Sequence, residues 1–356
     1  MSAERVVVAM SGGVDSSLAA ALVAETGVDA VGITMHLAGS ESRCCSLDDA
    51  DDARQVAERL GIKFYVANYA EAFRQEVIEP FAESYLRGET PIPCVACNKR
   101  FKFDLLLERA RALGADRVAT GHYARIERNP ETGRSRLLRA LDLSKDQTYF
   151  LFQLDQQQLA QAWFPLGERT KPQVREQARE LGLVTADKPE SQEICFVPDG
   201  DYAKVVEGIR PEARARSGEV VDGAGNVLAQ HDGVHRFTVG QRKGLGVQAS
   251  KPLYVTRIEA SRRRVVVGAK ADLETREAYV REVSWIAGEA PSEAVTARVH
   301  IRYRHAGAMA KVEPLPGGAA RVEFDESVRA VSPGQAAVFY DGEEVLGGGW
   351  LAREPL

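Results

Sequence analysis

Residues 5–17, Arg-Val-Val-Val-Ala-Met-Ser-Gly-Gly-Val-Asp-Ser-Ser, constrain the fold more than any other stretch. Val6, Val7 and Val8 form a β-branched run that reads as a buried strand. Ser17 to Ala24 is rich in helix formers. The tight loop between them is Ser11-Gly12-Gly13-Val14-Asp15-Ser16. A strand, a glycine loop and a helix start aim backbone N–H groups and the positive end of a helix dipole at one spot. Such a spot binds phosphate. The glycine pair lets the backbone approach an anion with no Cβ in the way. Ser11, Ser16 and Ser17 add hydroxyl donors. Asp15 is out of place at an anion site unless it orients a metal ion or a basic partner there.

The following segments repeat the strand–helix alternation. Ala30–Met35, Phe64–Ala67 and Arg117–His122 read as strands. Leu47–Leu60, with Ser46 as N-cap and Asp49 closing a capping box, reads as a helix, as do Phe73–Leu86 and Lys102–Leu113. This pattern implies an α/β fold with a doubly wound parallel sheet, whose ligand lies outside the carboxyl ends of the strands. The loop, Met35 and Gly121-His122 meet at that edge. Met35 is either an adaptable contact for a purine ring or a plain core methionine. His122 either faces RNA or phosphate or caps the strand end. Val174–Leu183 reads as an amphipathic helix closed by Gly182.

From about Gly200 the texture becomes β-rich, with turn signals at Asp222-Gly223 and Asp232-Gly233. A division into 1–205, 206–275 and 276–356 follows: a catalytic α/β domain, a small β-rich central domain and a C-terminal β-barrel. In the barrel, strand-like runs fall at Val295–Ile301, Ala319–Phe324 and Ala336–Tyr340. The length of 356 residues suits two or three domains.

The net charge of −5 argues against a wholly basic nucleic-acid binder, but cations gather locally. Arg236, Arg242, Lys243, Lys251, Arg257 and Arg262-Arg263-Arg264 stand against Glu259 within 236–264. Arg298, His300, Arg302, Tyr303, Arg304 and His305 follow. Arginines among aromatic rings suit RNA phosphates and unstacked bases, or form a solvated strand face. No apolar run approaches a membrane span, and no targeting segment precedes the first strand. Five unevenly spaced cysteines fit a reducing cytoplasm and chemistry rather than a disulfide scaffold. Cys94 and Cys97 stand just ahead of a helix beside Lys99 and Arg100, a setting that favours thiolate. Cys195 lies far along the chain, and Cys44 and Cys45 are adjacent. The second C-x-x-C of a four-cysteine zinc site is missing.

The loop lacks the lysine of G-x-x-x-x-G-K-[ST] and the spacing of G-x-G-x-x-G. It resembles the S-G-G-x-D-S loop of the ATP pyrophosphatase (PP-loop) superfamily, which splits ATP between the α and β phosphates and adenylates a substrate oxygen. Further stretches narrow the resemblance: P-C-V-A-C-N-K at 93–99, A-T-G-H-Y at 119–123, K-D-Q-T-Y-F-L at 145–151, G-Q-R-K-G-L-G at 240–246, R-Y-R at 302–304 and S-P-G-Q-A-A-V-F-Y at 332–340. In this order they are similar to the tRNA-specific 2-thiouridylases, which place sulfur on C2 of the wobble uridine (U34).

The resemblance implies Cys97 as nucleophile and Cys195 as persulfide carrier. It implies ATP, with Mg2+, at Ala9, Met10, Ser11, Gly12, Gly13, Val14, Asp15, Ser16, Met35 and Gly121. It places Ile92, Pro93 and Cys94 by the flipped base, and tRNA at His122, Lys145, Asp146, Gln147, Arg302, Tyr303 and Gln335. The implied partners are tRNA of the Lys, Glu and Gln type and a sulfur donor, either a cysteine desulfurase or a relay protein. Part of the family has Asp where this chain has Cys94. Cys94, Cys97 and Cys195 could therefore hold a 4Fe-4S cluster with one open iron, an alternative to the persulfide route. Two rival readings are another PP-loop enzyme, such as a lysidine synthetase or amide ligase, and an RNA-binding protein with a vestigial ATP site.

Overall fold

The computed structural model describes residues 4–37, 47–190, 194–197 and 199–353. Cys44, Cys45 and the expected cap Ser46 lie outside the described residues. The first strands are Arg5–Ala9 (β1), Asp29–His36 (β2), Lys63–Asn68 (β3) and Arg117–Ala119 (β4). A hairpin of Ala124–Arg128 (β5) and Ser135–Arg139 (β6) leaves their sheet, and Ala162–Trp163 (β7) returns to it. The order is β3-β2-β1-β4-β7, with every pair parallel.

Parallel strands need crossovers, and helices supply them on both faces. Alternation along β1 shows why. Val7 joins Val31, Ile33 and Val118 in one apolar cluster, under the helical segments 70–86 and 93–112. Val6 and Val8 join Ala30 and Ala119 in the other, under Val14–Glu25 (α1), Leu47–Leu60 (α2) and the helix Lys171–Glu180. All three valines are fully buried.

Three of the boundaries that differ from expectation bear on the site. α1 starts at Val14 rather than Ser17, so Asp15 and Ser16 lie in its first turn. The helix expected from Lys102 starts at Pro93, where the missing N–H and fixed φ of proline suit the first helical position. Cys94 and Cys97 therefore lie inside the helix, which continues through wide π-type turns at Cys97–Leu105. The fourth strand ends at Ala119, three residues short of His122.

The strands Gly218–Val221 (β8), Val227–His231 (β9), Tyr254–Glu259 (β10) and Arg264–Gly268 (β11) form a small mixed sheet in the order β10-β11-β8-β9. Glu274–Trp285 (β12), Val295–His300 (β13), Ala308–Leu315 (β14), Ala319–Arg329 (β15), Ala336–Asp341 (β16) and Glu344–Leu351 (β17) form an antiparallel barrel closed by the β12–β17 pairing. The β5–β6 hairpin extends this barrel sheet through β6 and β17. Ion pairs from Arg125 to Glu343 and from Arg136 to Glu344, both at 2.7 Å, reinforce the join. Among the described residues, no helix is long and apolar enough to cross a membrane.

Candidate active site

The glycine loop is held by its own serines. The Ser16 hydroxyl accepts from the Ser11 N–H at 3.1 Å and donates to the Gly13 carbonyl at 3.0 Å. Ser17 donates to the same carbonyl at 2.9 Å. Gly13 caps α1 without a side-chain hydrogen bond, so the first-turn amides are left for a ligand. Gly12 has φ +69°, and a Cβ there would lie 2.1 Å from the Asp49 carbonyl oxygen of α2. A Cβ on Gly121 would lie 2.7 Å from both the Asp15 carbonyl carbon and the Ser16 nitrogen. Gly121 thus supports the loop from behind, and the close approach accounts for the early end of β4.

Asp15 has its basic partner. The Lys171 ammonium lies 2.7 and 2.8 Å from the two Asp15 carboxylate oxygens, and the Tyr123 hydroxyl donates to Asp15 at 2.8 Å. Burial first, and then the Asp15 charge, push the Tyr123 hydroxyl far up, so it stays a donor. Lys171 also contacts Glu190 at 2.9 Å, and Lys145 contacts the other Glu190 oxygen at 2.7 Å. Burial opposes ionisation of Glu190, but the hydrogen bonds from Lys145 and Lys171 outweigh it and lower its carboxyl to about 2. Lys188 pairs with Asp49 at 2.7 Å and with Asp52, which fastens the 185–190 segment to α2. Sequence reading missed Lys171, Glu190 and Tyr123. The only local signal is a capping box, Thr170 with Gln173, that places Lys171 at a helix start.

The loop opens into a cavity of about 1050 Å³. Ser11, Gly13, Val14, Asp15 and Ser16 line one side, and Ile92, Pro93 and Cys94 another. Lys145, Asp146, Gln147, Arg302, Tyr303 and Gln335 line the rest. The Tyr303 ring is 40% exposed and packs 4.5 Å from Phe150, which leaves part of it open for a base. Gln335 donates to the Thr90 carbonyl at 2.9 Å, close to the start of the Cys94 helix. Burial first, and then Arg139, lower His300 to about 4, so the imidazole is neutral in the cavity wall.

Cys97 and Cys195 stand just behind this wall, half-buried against the same apolar cluster. Cys97 follows Cys94 by one turn, and Cys195 follows the cavity-lining Ile194. The Phe73 ring joins their segments, 5.2 Å from Phe101 and 5.9 Å from Phe196.

Several expected contacts lie elsewhere. Ala9, Met10, Gly12, Met35 and Gly121 are not in the cavity lining, and Met35, 6% exposed, sits in the apolar core. His122 is buried, bonded to Thr120 at 2.7 Å and Asn98 at 3.2 Å, with Lys102 at 3.3 Å. Desolvation, helped by Lys102, keeps it neutral, and its bond to Asn98 braces the Cys97 helix. Asp146 lines the cavity but is bonded inward. Its carboxylate is taken up by Arg139 at 3.0 Å, the Ala140 N–H at 3.1 Å and the Thr148 hydroxyl, so it positions its neighbours Lys145 and Gln147. Among the described residues, no three His, Cys, Asp or Glu side chains are gathered to hold a metal ion, and a cluster on Cys94, Cys97 and Cys195 does not fit this arrangement. Half of the 236–264 cations are engaged on their own sheet or its flank: Arg236 with Glu207, Arg257 and Arg262 with Glu259, and Arg264 with Glu219.

Family models described as a tRNA methyl transferase HUP domain, a tRNA methyl transferase PRC-barrel domain and an aminomethyltransferase beta-barrel domain match residues 4–199, 206–269 and 275–351. A relative from Geobacter metallireducens is 52% identical, covering 98% of this chain and 96% of its own. One from Solibacter usitatus is 50% identical, covering 99% and 100%. One from Acidobacterium capsulatum is 50% identical, covering 97% and 98%. All three carry the name tRNA-specific 2-thiouridylase MnmA.

Proposed function

The chain belongs to the tRNA-specific 2-thiouridylase family, and we propose that it replaces O2 of the wobble uridine (U34) with sulfur in tRNAs of the Lys, Glu and Gln type. A uridine C2 oxygen is a poor leaving group. Attack of that oxygen on the α-phosphorus of ATP expels pyrophosphate and turns it into a good one, AMP. The α1 amides, Ser11 and Lys171 would face the phosphates, and Asp15 would hold Mg2+, an ion that needs few protein ligands. Mg2+ supplies charge neutralisation on the phosphates.

Sulfur arrives on Cys195 as a persulfide from a donor protein. In one route, its terminal sulfur adds at C2 and AMP departs. The Cys97 thiolate then attacks the Cys195 sulfur, releases the thiouridine and leaves a Cys97–Cys195 disulfide. In the other, Cys97 attacks the persulfide first and liberates sulfide, which adds at C2. Both end on the same disulfide, and a thiol reductant resets it. The Phe73 bridge between the two cysteine segments supports either.

One observation carries this reading: the ATP loop, Cys94 at the head of the Cys97 helix, and the Lys145 and Tyr303 surfaces share one cavity. Moving a methyl group, as the matched domain descriptions suggest, needs neither the loop nor the thiols. A lysidine synthetase or amide ligase would use the loop but not the cysteines.

The test is thiolation of an unmodified tRNA transcript, read on a mercury-affinity gel, with ATP and a persulfide donor. Wild-type protein thiolates and releases pyrophosphate only with tRNA. Full thiolation by Cys97→Ala or Cys195→Ala protein would overturn the persulfide reading. About four irons in active, anaerobically purified protein would restore the cluster route.

A further inference from the structure

Glu190 lies between the two sides of the cavity. One carboxylate oxygen is 2.7 Å from the Lys145 ammonium and the other is 2.9 Å from that of Lys171. Lys171 is in turn shared with Asp15, at 2.7 Å, where Tyr123 also donates. The guanidinium of Arg175 stands farther off, 4.0 Å from Glu190. The groups form an alternating row, Lys145–Glu190–Lys171–Asp15, running from the surface that faces RNA to the loop that faces ATP.

We propose that Glu190 is a positioning residue that couples tRNA binding at Lys145 to Mg–ATP binding at Asp15. This rests on the function proposed above. Lys171 is divided between two carboxylates, and its hold on Asp15 competes with Mg2+ for the same oxygens. An RNA phosphate that draws Lys145 away leaves Glu190 with one ammonium fewer to satisfy. Glu190 then attracts Lys171 more strongly, Lys171 loosens from Asp15, and the carboxylate is released to the metal. Lys171, still beside the loop, is available to the phosphates. Each step strengthens the next, so the coupling is positive. By linkage, Mg–ATP tightens tRNA binding by the same factor. The row thus favours ATP binding once RNA is seated, which limits idle loss of ATP.

The experiment measures the Kd of Mg–α,β-methylene-ATP by calorimetry, with and without a saturating unmodified tRNA transcript. Wild-type protein is expected to bind the analogue about fivefold or more tightly with tRNA present. In Glu190→Gln protein that factor falls below about twofold, while each ligand alone still binds. Glu190→Asp keeps the charge and restores part of the factor. Lys145→Met mimics the state in which Lys145 has left, so it binds the analogue more tightly than wild type without tRNA. A merely structural role for Glu190 does not produce that gain. The proposal is overturned if Glu190→Gln keeps the wild-type factor, if Lys145→Met weakens the analogue, or if the wild-type factor is one. Failure of the wild type to bind either ligand alone would instead overturn the proposed function.

Discussion

The two sides of the cavity are built by different forces. The loop side is polar: Asp15, Lys171, Tyr123, Glu190 and Lys145 hold one another with bonds of 2.7 to 2.9 Å, with Lys171 and Tyr123 buried and Asp15, Glu190 and Lys145 partly exposed. The thiol side is apolar: Cys97 and Cys195 rest on a cluster in which Phe73, Phe81 and Phe101 are all but fully buried. Ion pairs near water exchange partners at little cost, because solvent compensates. Close-packed aromatic rings do not rearrange without leaving a void. The exposed pairs of the loop side can therefore exchange partners when ligands arrive, while the packing under the thiol segments stays fixed.

The largest expected effect breaks the chemistry of one side without the other. Cys97→Ser and Cys195→Ser each lower tRNA thiolation on the order of 10³-fold or more, as removal of an essential nucleophile does. Both retain tRNA-dependent pyrophosphate release, and mercury-gel and pyrophosphate assays on one preparation read the two. Loss of pyrophosphate release as well would show that the sides are not separable. Phe73→Ala tests packing: stability falls by about 3–5 kcal/mol in urea unfolding, the usual result for a buried phenylalanine. Lys171→Ala tests the polar side. It removes the ammonium that faces the phosphates and raises the KM for ATP about 10–100-fold, the worth of a hydrogen bond to a charged group.

The same division decides what the sequence reveals. The β1–loop–α1 unit is legible because strand, glycines and helix are contiguous, and the serine bonds that shape the loop stay within residues 11–17. The parallel order is legible from alternation. Lys171 is not, because 156 residues separate it from Asp15 and ion pairs leave no periodic trace. The β5–β6 hairpin joins the barrel through a single residue pair, Leu138 with Glu344, and no pattern within 124–139 points to a partner two hundred residues away. His122 and Asp146 show the opposite limit. Their polarity suggests a ligand, but burial spends it on Asn98, Thr120, Arg139 and Thr148. The early start of the Cys94 helix was within reach, since proline at 93 is a helix-start signal.

Tyr303 sharpens the comparison from the RNA side. Its ring belongs to an aromatic group with Phe150 and Tyr149, but one part stays open. Tyr303→Ala weakens tRNA binding by about 1 kcal/mol, the low end for a stacked base, because Phe150 already covers part of the ring. Filter binding reads the loss, and unchanged ATP affinity in the same protein would keep it on the RNA side.

The smallest effect is a pH dependence. Glu190 has its carboxyl lowered from the usual 4.5 to about 2 in the folded protein. A depressed acid adds stability above its unfolded value, and that stability drains away as pH falls towards the folded value. The wild type should therefore melt slightly above Glu190→Gln at pH 7, with the gap narrowing from about pH 4.5 downward and nearly gone at about pH 2. The partial exposure of Glu190 and Lys145 keeps the gap small. Scanning calorimetry of both proteins at pH 7 and pH 3 decides the point. A gap of equal size at both would mean that Glu190 contributes through packing, as the thiol side does, and the division between the two sides would fail at its best-connected residue.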